Sequence, residues 1–269
     1  MIRRPPRSTQ SRSSAASDVY KRQATPGRHG VAGNDIGTQE LAEFYEHNQI
    51  PIVGDNGEPL EDPIKFLTKK GVLATIKRFS IDSEVDVELT QKESETMSKL
   101  LDIPTSVLQK LGASGLRNNK IVTAAIFEAQ EKKFPTIIFA PSKDSAIEIA
   151  LLIRLKGIDA RAVVGDTPSL DREQYIKNFK NGKLNILVNF GVLTTGFDAP
   201  NIKSVIIGRP TTSVVLYSQM IGRGLRGKLM GGEENCDIID VHDNILNMPS
   251  ANEAYTFFDK YFLRDTDGK

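Results

Sequence analysis

Residues 136–188 read TIIFAPSKDSAIEIALLIRLKGIDARAVVGDTPSLDREQYIKNFKNGKLNILV, and this stretch decides the fold class. Three short apolar runs, each long enough for one buried strand, alternate with two segments that have apolar residues at helical spacing. The runs lie at 136–139, 160–164 and 184–188, and the helical segments at 142–156 and 170–179. Apolar strands that alternate with helices are typical of a parallel sheet covered on both faces. The stretch therefore predicts an α/β fold.

The same alternation continues on both sides of this stretch. A helix is predicted at 120–131, and a strand, a helix and a last strand are predicted at 205–207, 214–221 and 237–241. Ligands of such sheets bind at the carboxyl ends of the strands. The candidate ligand-binding loops are therefore 140–142, 165–167, 189–200 and 208–212.

The upstream part, residues 24–115, has a less regular pattern and is interpreted as the remnant of a preceding domain followed by a connector. Short helices are predicted at 38–47, 63–71, 93–101 and 105–111. The alternating run Val85-Asp86-Val87-Glu88-Leu89 predicts a half-exposed strand. The α/β domain then occupies residues 116–250, and residues 251–269 form a C-terminal helix or tail.

Residues 1–23 (MIRRPPRSTQSRSSAASDVYKRQ) differ in composition from the rest of the chain. They are rich in Arg and Ser, nearly lack aliphatic residues and resemble a translated sequencing adapter, so we interpret them as a non-native tail. A basic arm, a transit peptide and a nucleic-acid-binding tail are the biological alternatives. We expect the tail to be disordered, since it cannot bury enough apolar surface to offset its ordering entropy.

The composition limits the class of protein and its partners. The chain has 269 residues, 39% hydrophobic and 26% charged, and these are globular values. No apolar run approaches the roughly 20 residues that cross a membrane. Cys236 is the only cysteine and the three histidines are scattered, so neither a disulfide nor a zinc site is expected, and a cytoplasmic setting fits.

The net charge of +1 conceals an uneven distribution. Residues 1–23 carry six basic groups and one acid, which leaves the remainder of the chain net acidic. The globular part has no overall basic field. Any contact with nucleic acid is therefore expected to be local, made by a few side chains and backbone amides.

Two runs of the sequence carry residues suited to nucleotide chemistry. In the run TTGFDAP at 194–200, Thr194 offers a hydroxyl and an amide to phosphate, Gly196 permits close approach of the backbone, and Asp198 can accept from a ribose hydroxyl. In the run QMIGRGLR at 219–226, Arg223 and Arg226 are three residues apart and share one helical face. Paired guanidinium groups are what phosphoryl-transfer enzymes use to neutralise the charge that develops on a γ-phosphate.

These runs resemble the motifs of superfamily II helicases. Residues 219–226 are similar to motif VI, residues 194–200 to motif V and residues 136–142 to motif IV, in the same order and with matching spacing. The form of motif VI and the run Gly208-Arg209-Pro210 are similar to the restriction-subunit and DNA-repair branch of the superfamily. The resemblance implies a RecA-like helicase C-terminal domain.

The resemblance also implies roles for nine residues. Arg223 and Arg226 would be arginine fingers, Gln219 would orient them or contact ATP, and Gly196 and Asp198 would contact the nucleotide. A further group would bind the nucleic-acid backbone: Ser142, Thr167, Arg172 and Thr194. Arg172 lies where the family often has such an arginine, but Ser169 replaces the glutamine that often precedes it by three positions. The ATP-binding and finger residues are expected to cluster at the carboxyl edge of the sheet, facing a first RecA-like domain.

The sequence contains no phosphate-binding loop of the G-x-x-x-x-G-K-[ST] type and no acidic motif to hold Mg²⁺. Residues 222–229 come nearest but end in Leu229, which cannot ligate Mg²⁺, and they follow a helix. The run Asp240-Val241-His242-Asp243 is interpreted as an ordinary strand end. The parent is therefore predicted to be an ATP- and Mg²⁺-dependent DNA helicase or translocase whose C-terminal half, this chain, is inactive alone. The alternatives are a non-catalytic RecA-like module that binds nucleic acid and a flavodoxin-like or Rossmann domain, although no G-x-G-x-x-G follows any predicted strand.

Overall fold

The computed structural model of the chain describes residues 53–60, 62–93, 96, 103–193, 199–211 and 213–243. Within these residues, six strands form a single parallel sheet in the order β1-β6-β5-β2-β4-β3. The strands are β1 (Thr75–Asp82), β2 (Thr136–Phe139), β3 (Ala160–Val163), β4 (Ile186–Asn189), β5 (Ser204–Ile207) and β6 (Asn235–His242). The predicted α/β class with an all-parallel sheet is confirmed.

Six described α-helices accompany the sheet. They are α1 (Pro63–Lys69), α2 (Thr105–Gly112), α3 (Gly115–Gln130), α4 (Lys143–Leu155), α5 (Ser169–Lys180) and α6 (Val214–Ile221). A short 3-10 turn, Lys228–Met230, precedes β6. No helix in the described part of the chain is both long and apolar enough to cross a membrane.

Two apolar layers hold the helices to the two faces of the sheet. On one face, Phe179 of α5 and Met220 and Ile221 of α6 pack against the strands. On the other face, α3 and α4 contribute Ile121, Ile149 and other fully buried side chains. β2, β4 and β5 are buried along their whole length, because helices cover both of their faces.

The upstream segment contributes more to the sheet than the sequence pattern indicated. β1 lies within residues 24–115, yet it pairs with β6 along its whole length, from Thr75 opposite Asn235 to Asp82 opposite His242. It is an edge strand and most of its side chains are exposed, so it lacks the apolar run that identified the central strands. The proposed division of the chain near residue 115 therefore runs through one continuous sheet.

The strand predicted at 85–89 is wrong. Residues 83–90 form no regular structure, but Val85, Val87 and Leu89 pack on a small apolar cluster that contains Val107 and Leu111 of α2. The alternation thus reflects burial of one side of this segment against α2, without pairing to a strand among the described residues. The predicted helices at 63–71 and 105–111 are confirmed. The predictions for residues 1–23, for the helix at 38–47 and for the tail at 251–269 fall outside the described residues, as does most of the helix at 93–101.

A buried ion pair joins α3 to the end of β6. The Arg117 guanidinium contacts the Asp243 carboxylate at 2.7 and 2.8 Å, and both side chains are almost completely buried. Arg117 also donates to the carbonyl of Gly208, which follows β5. One side chain therefore fixes α3, the end of β6 and the loop after β5 at the carboxyl edge of the sheet.

Replacing Arg117 should be costly because it would leave the Asp243 carboxylate buried without its counter-ion. We expect Arg117→Met to lower the free energy of unfolding by about 3–5 kcal/mol, measured by urea denaturation. Adding Asp243→Leu should recover a large part of this loss, because the second change removes the unpaired charge. A double variant no more stable than Arg117→Met would contradict this explanation.

Candidate nucleotide and nucleic-acid site

Ser142 lies in the loop after β2 and is the N-cap residue of α4. Its hydroxyl oxygen accepts from the backbone N–H of Ser145 at 3.1 Å, and the residue is buried. A serine in this position satisfies one of the free amides of the first helical turn. Its hydroxyl proton is not used by that bond and can be donated to a phosphate oxygen.

Thr167 lies in the loop after β3, where its hydroxyl group, like that of Ser142, bonds to the backbone of its own loop. Its hydroxyl oxygen accepts from the Val164 N–H at 2.9 Å. Arg172 of α5 donates from one terminal nitrogen to the carbonyls of Gly165 and Thr167, both at 3.2 Å. Arg172 therefore fixes the loop that carries Thr167, a task that the sequence pattern did not indicate.

A lysine links these two loops. Lys143, the first residue of α4, forms an ion pair with Asp166 in the loop after β3. Asp166 raises the pKa of the Lys143 ammonium above its ordinary value, so the lysine is charged at neutral pH. The structure thus brings Ser142 and Thr167 to the same edge of the sheet and adds a cation, Lys143, that the sequence analysis did not single out.

Asn189 controls the start of the third loop. It is the last residue of β4, it is buried, and its side-chain oxygen accepts from the backbone N–H groups of Val192 and Leu193 at 3.2 and 2.9 Å. Gly191, which lies between Asn189 and Val192, has a φ of +72°, a backbone conformation that favours glycine. The loop continues into residues 194–198, so the predicted site residues Thr194, Gly196 and Asp198 lie outside the described residues.

The helix α6 carries the start of the run at 219–226. Its N-cap Ser213 accepts from the Leu216 N–H at 3.3 Å, and Met220 and Ile221 are fully buried against the sheet. Gln219, Arg223 and Arg226 are all partly exposed. Burial lowers the pKa of the Arg223 guanidinium from its ordinary value.

The expected position of Arg226 at the carboxyl edge is wrong. Its backbone forms an antiparallel bridge with Leu73, which lies just before the first residue of β1. Arg226 is therefore beside the amino ends of β1 and β6. The reason is that α6 starts near the carboxyl edge and runs back along the face of the sheet, so the turn that follows it has left that edge.

The glycines of residues 222–229 are explained by close packing. A Cβ on Gly224 would lie 2.2 Å from the Cys236 sulfur, and a Cβ on Gly227 would lie 2.3 Å from the Gly71 carbonyl oxygen. Lys228, where a phosphate-binding loop has its lysine, is exposed and pairs with Glu234 at 2.5 Å. These residues join β6 and the segment before β1 rather than forming a cradle for phosphates.

The two acidic side chains near the end of β6, Asp240 and Asp243, both form hydrogen bonds or ion pairs with other side chains of the domain. Asp243 pairs with Arg117, and Asp240 accepts from the hydroxyl of Tyr217 and from Arg78. Among the residues that the structure describes, no group of three or more His, Cys, Asp or Glu side chains could hold a metal ion.

Comparisons with known proteins agree with this architecture. Residues 117–228 match the family described as helicase conserved C-terminal domain. A Saccharomyces cerevisiae protein named as an ATP-dependent helicase, IRC3, is 34% identical over 179 residues, which is 65% of this chain and 26% of that protein. A Schizosaccharomyces pombe protein named as a mitochondrial ATP-dependent helicase is 33% identical over 224 residues, covering 82% of this chain and 32% of that one.

A solved structure supports the fold. A fragment named as an HsdR subunit of a type I restriction enzyme, from Vibrio vulnificus, superposes with a TM-score of 0.50 at 19% identity, covering 86% of this chain and 44% of that chain. The present chain spans about a quarter to a third of the length of the two yeast relatives.

The packing explanation for Gly224 can be tested by substitution. We expect Gly224→Ala to lower the free energy of unfolding by about 1–3 kcal/mol, because the new methyl group would overlap the Cys236 sulfur. Adding Cys236→Ala should offset part of the loss, since it removes that sulfur. Gly115→Ala is the matched control, because its Cβ would meet nothing within 4 Å. Strictly additive effects of the Gly224 and Cys236 changes in urea denaturation would contradict the predicted contact.

Proposed function

Because residues 117–228 form a superfamily II helicase C-terminal domain, we propose that this chain is the C-terminal half of an ATP-dependent DNA helicase or translocase. The observation that carries the proposal is the run at 219–226, in which a glutamine and two arginines of the motif VI pattern follow one another on a helix and turn fixed to the sheet. Supplying these groups to a nucleotide held by a first RecA-like domain is the proposed activity.

Arg223 and Arg226 act as arginine fingers in this proposal. A guanidinium group can make two parallel hydrogen bonds to phosphate oxygens and neutralise the negative charge that develops during transfer. Their partial exposure supports the assignment, because a finger must reach a phosphate outside its own domain. Gln219, half-buried on α6, contacts ATP or orients the arginines.

Gly196 and Asp198 complete the proposed contacts to the nucleotide. A glycine permits close approach of the backbone, and a carboxylate can accept from a ribose hydroxyl. Mg²⁺ and most of the phosphate contacts belong to the first domain in this proposal, because the sequence of this chain contains no phosphate-binding loop and no acidic motif for the metal.

The nucleic-acid track is assigned to the carboxyl edge of the sheet. Ser142, Thr167 and Thr194 donate hydrogen bonds from their hydroxyl groups to backbone phosphates, and backbone amides in the first turn of α4 add further donors. Arg172 contributes through the loop that it fixes and, in the proposal, through its own contact with a backbone phosphate. Such contacts are independent of base sequence.

DNA is proposed over RNA as the substrate. The support is the resemblance of residues 208–210 and 219–227 to restriction-subunit and DNA-repair helicases, although other similar proteins are named as RNA helicases. The second candidate is a RecA-like module that binds nucleic acid without catalysis, favoured by the missing phosphate-binding loop. Titration of nucleic acid with and without ATP separates the two, since only the helicase half should respond to nucleotide when a first domain is present.

The 269-residue chain alone should show no ATP hydrolysis above background, with or without DNA. Fingers stabilise a transition state that other groups must first bind. The measurement is steady-state phosphate release. Turnover that survives Lys228→Ala would reveal a nucleotide site elsewhere in the chain, and turnover that is lost in that variant would assign a phosphate-binding role to residues 222–229.

In the full-length protein, with a first RecA-like domain present, Arg226→Ala should reduce ATP hydrolysis about 10³–10⁵-fold. Stimulation by DNA should disappear, because nucleic acid acts by closing the two domains and seating the finger. Affinity for DNA without ATP should barely change, since Ser142 and Thr167 lie on separate loops.

Arg226→Lys is the informative companion variant. It keeps the charge but cannot make the two-pronged contact, so it should also fail to support hydrolysis. The opposite pattern, weak DNA binding with normal basal hydrolysis, would move Arg226 from the finger role to the nucleic-acid track.

A further inference from the structure

The segment before and within β1 contacts α6 and the turn after it at two places, one just before the arginine-bearing run at 219–226 and one at its end. The first contact is through side chains, between Arg78 of β1 and Tyr217 of α6. The second is through the backbone, between residues 71–74 and residues 225–229. Gln219 and Arg223 lie between these two attachments, and Arg226 lies within the second one.

Tyr217 is the centre of the side-chain contact. Its hydroxyl accepts from Arg78 Nη2 at 2.5 Å and lies 2.9 and 3.0 Å from the two carboxylate oxygens of Asp240 on β6. Arg78 also donates to Asp240 at 2.9 Å, so each of the three groups contacts the other two. Burial and the Asp240 charge raise the pKa of Tyr217 above its ordinary value. The hydroxyl therefore stays protonated and donates a hydrogen bond to Asp240.

The backbone contact resembles a short piece of sheet. Ala74 N–H donates to the Leu225 carbonyl at 3.0 Å, and the N–H groups of Gly227 and Leu229 donate to Val72 and Gly71 at 2.9 Å. Gly71 has a φ of +74°, which favours glycine, and its carbonyl occupies the space that a side chain at position 227 would need. The two segments therefore approach more closely than other residues would permit.

The two attachments leave the run little freedom. Tyr217 is only 1% exposed, and it precedes Gln219 by two residues on the same helix. A rotation of α6 that redirected Gln219 would pull the buried Tyr217 hydroxyl away from both of its partners, Arg78 and Asp240. A polar cluster of this kind favours one orientation of the helix more strongly than apolar packing does.

We propose that residues 71–78 position the arginine-bearing run, and that Arg78 is a positioning residue for ATP hydrolysis that acts through Tyr217 without contacting the nucleotide. The inference rests on the proposed finger role of Arg223 and Arg226. It assigns a function to a segment that lies upstream of the matched helicase domain, in the part of the chain that connects to a first domain.

The test is steady-state hydrolysis by the full-length protein with DNA, in four variants. Arg78→Gln and Tyr217→Phe should each lower kcat by about 10–100-fold, because a misplacement of about 1 Å is enough to cause such a loss. The KM for ATP and the affinity for DNA should stay near wild type. Arg78→Lys should recover most of kcat, because an ammonium group can still donate to Tyr217 and Asp240. Lys77→Gln, which removes the neighbouring exposed charge on β1, should behave as wild type.

A second measurement needs no catalysis. In the 269-residue chain, hydrogen exchange of the amides in residues 219–227 should become faster in Arg78→Gln than in wild type, and Arg78→Lys should restore slow exchange. Exchange in the central strand β2 should be unchanged in both variants. Arg78 carries this measurement because its side chain is 38% exposed at the sheet edge, so its replacement is compatible with folding.

The outcomes distinguish failure of the finger role from failure of the positioning role. If Arg226→Ala leaves hydrolysis intact, the finger proposal fails, and the positioning role fails with it. If Arg226→Ala abolishes hydrolysis but Arg78→Gln and Tyr217→Phe act as wild type, the fingers stand and the positioning role is overturned. Unchanged exchange in residues 219–227 of Arg78→Gln, or an equal loss of kcat in Lys77→Gln, also overturns it.

Discussion

The parallel pairing of β1 with β6 is the contact on which the candidate site depends. It places Arg78 beside Asp240, and it brings the residues before Thr75 against the turn that carries Arg226. Without this ladder, the turn after α6 would lose its backbone hydrogen bonds to residues 71–74. Although most side chains of this edge strand are exposed, its pairing with β6 helps to fix the positions of the arginines.

The sequence was a good guide to those elements that are buried on both faces. The strand at Thr136–Phe139 and the helix at Val214–Ile221 have the predicted bounds, because continuous apolar runs and helical spacing record burial directly. β1 has exposed, mixed side chains and left no such record. The alternation at Val85, Val87 and Leu89 did record burial, but against α2, and the periodicity of side chains does not reveal whether a segment pairs with a neighbouring strand.

The site was predictable in its loops and less so beyond them. Ser142 and Thr167 directly follow strands, and the rule that ligands bind at the carboxyl ends of parallel strands applies to such residues. Arg226 is reached only after a helix and a turn, so the rule placed it at the wrong end of the sheet. Asn189 and Tyr217 carried no motif signal that distinguishes an internal hydrogen-bonding role from ordinary packing. Their roles became visible only from their hydrogen-bond partners in the structure. These partners are Val192 and Leu193 for Asn189, and Arg78 and Asp240 for Tyr217.

The order of the strands has a consequence for synthesis on the ribosome. β1 is made early, but its hydrogen-bonding neighbour β6 is the last strand of the sheet to emerge. The centre of the sheet can form from β2, β3, β4 and β5 before β6 is made. During that time both edges of β1 remain without a hydrogen-bonded strand. Contacts between distant parts of a chain form slowly, and unpaired strand edges invite association with other chains. A nascent chain that stalls before Asn235 would therefore expose β1 as a site for aggregation or for capture by a chaperone.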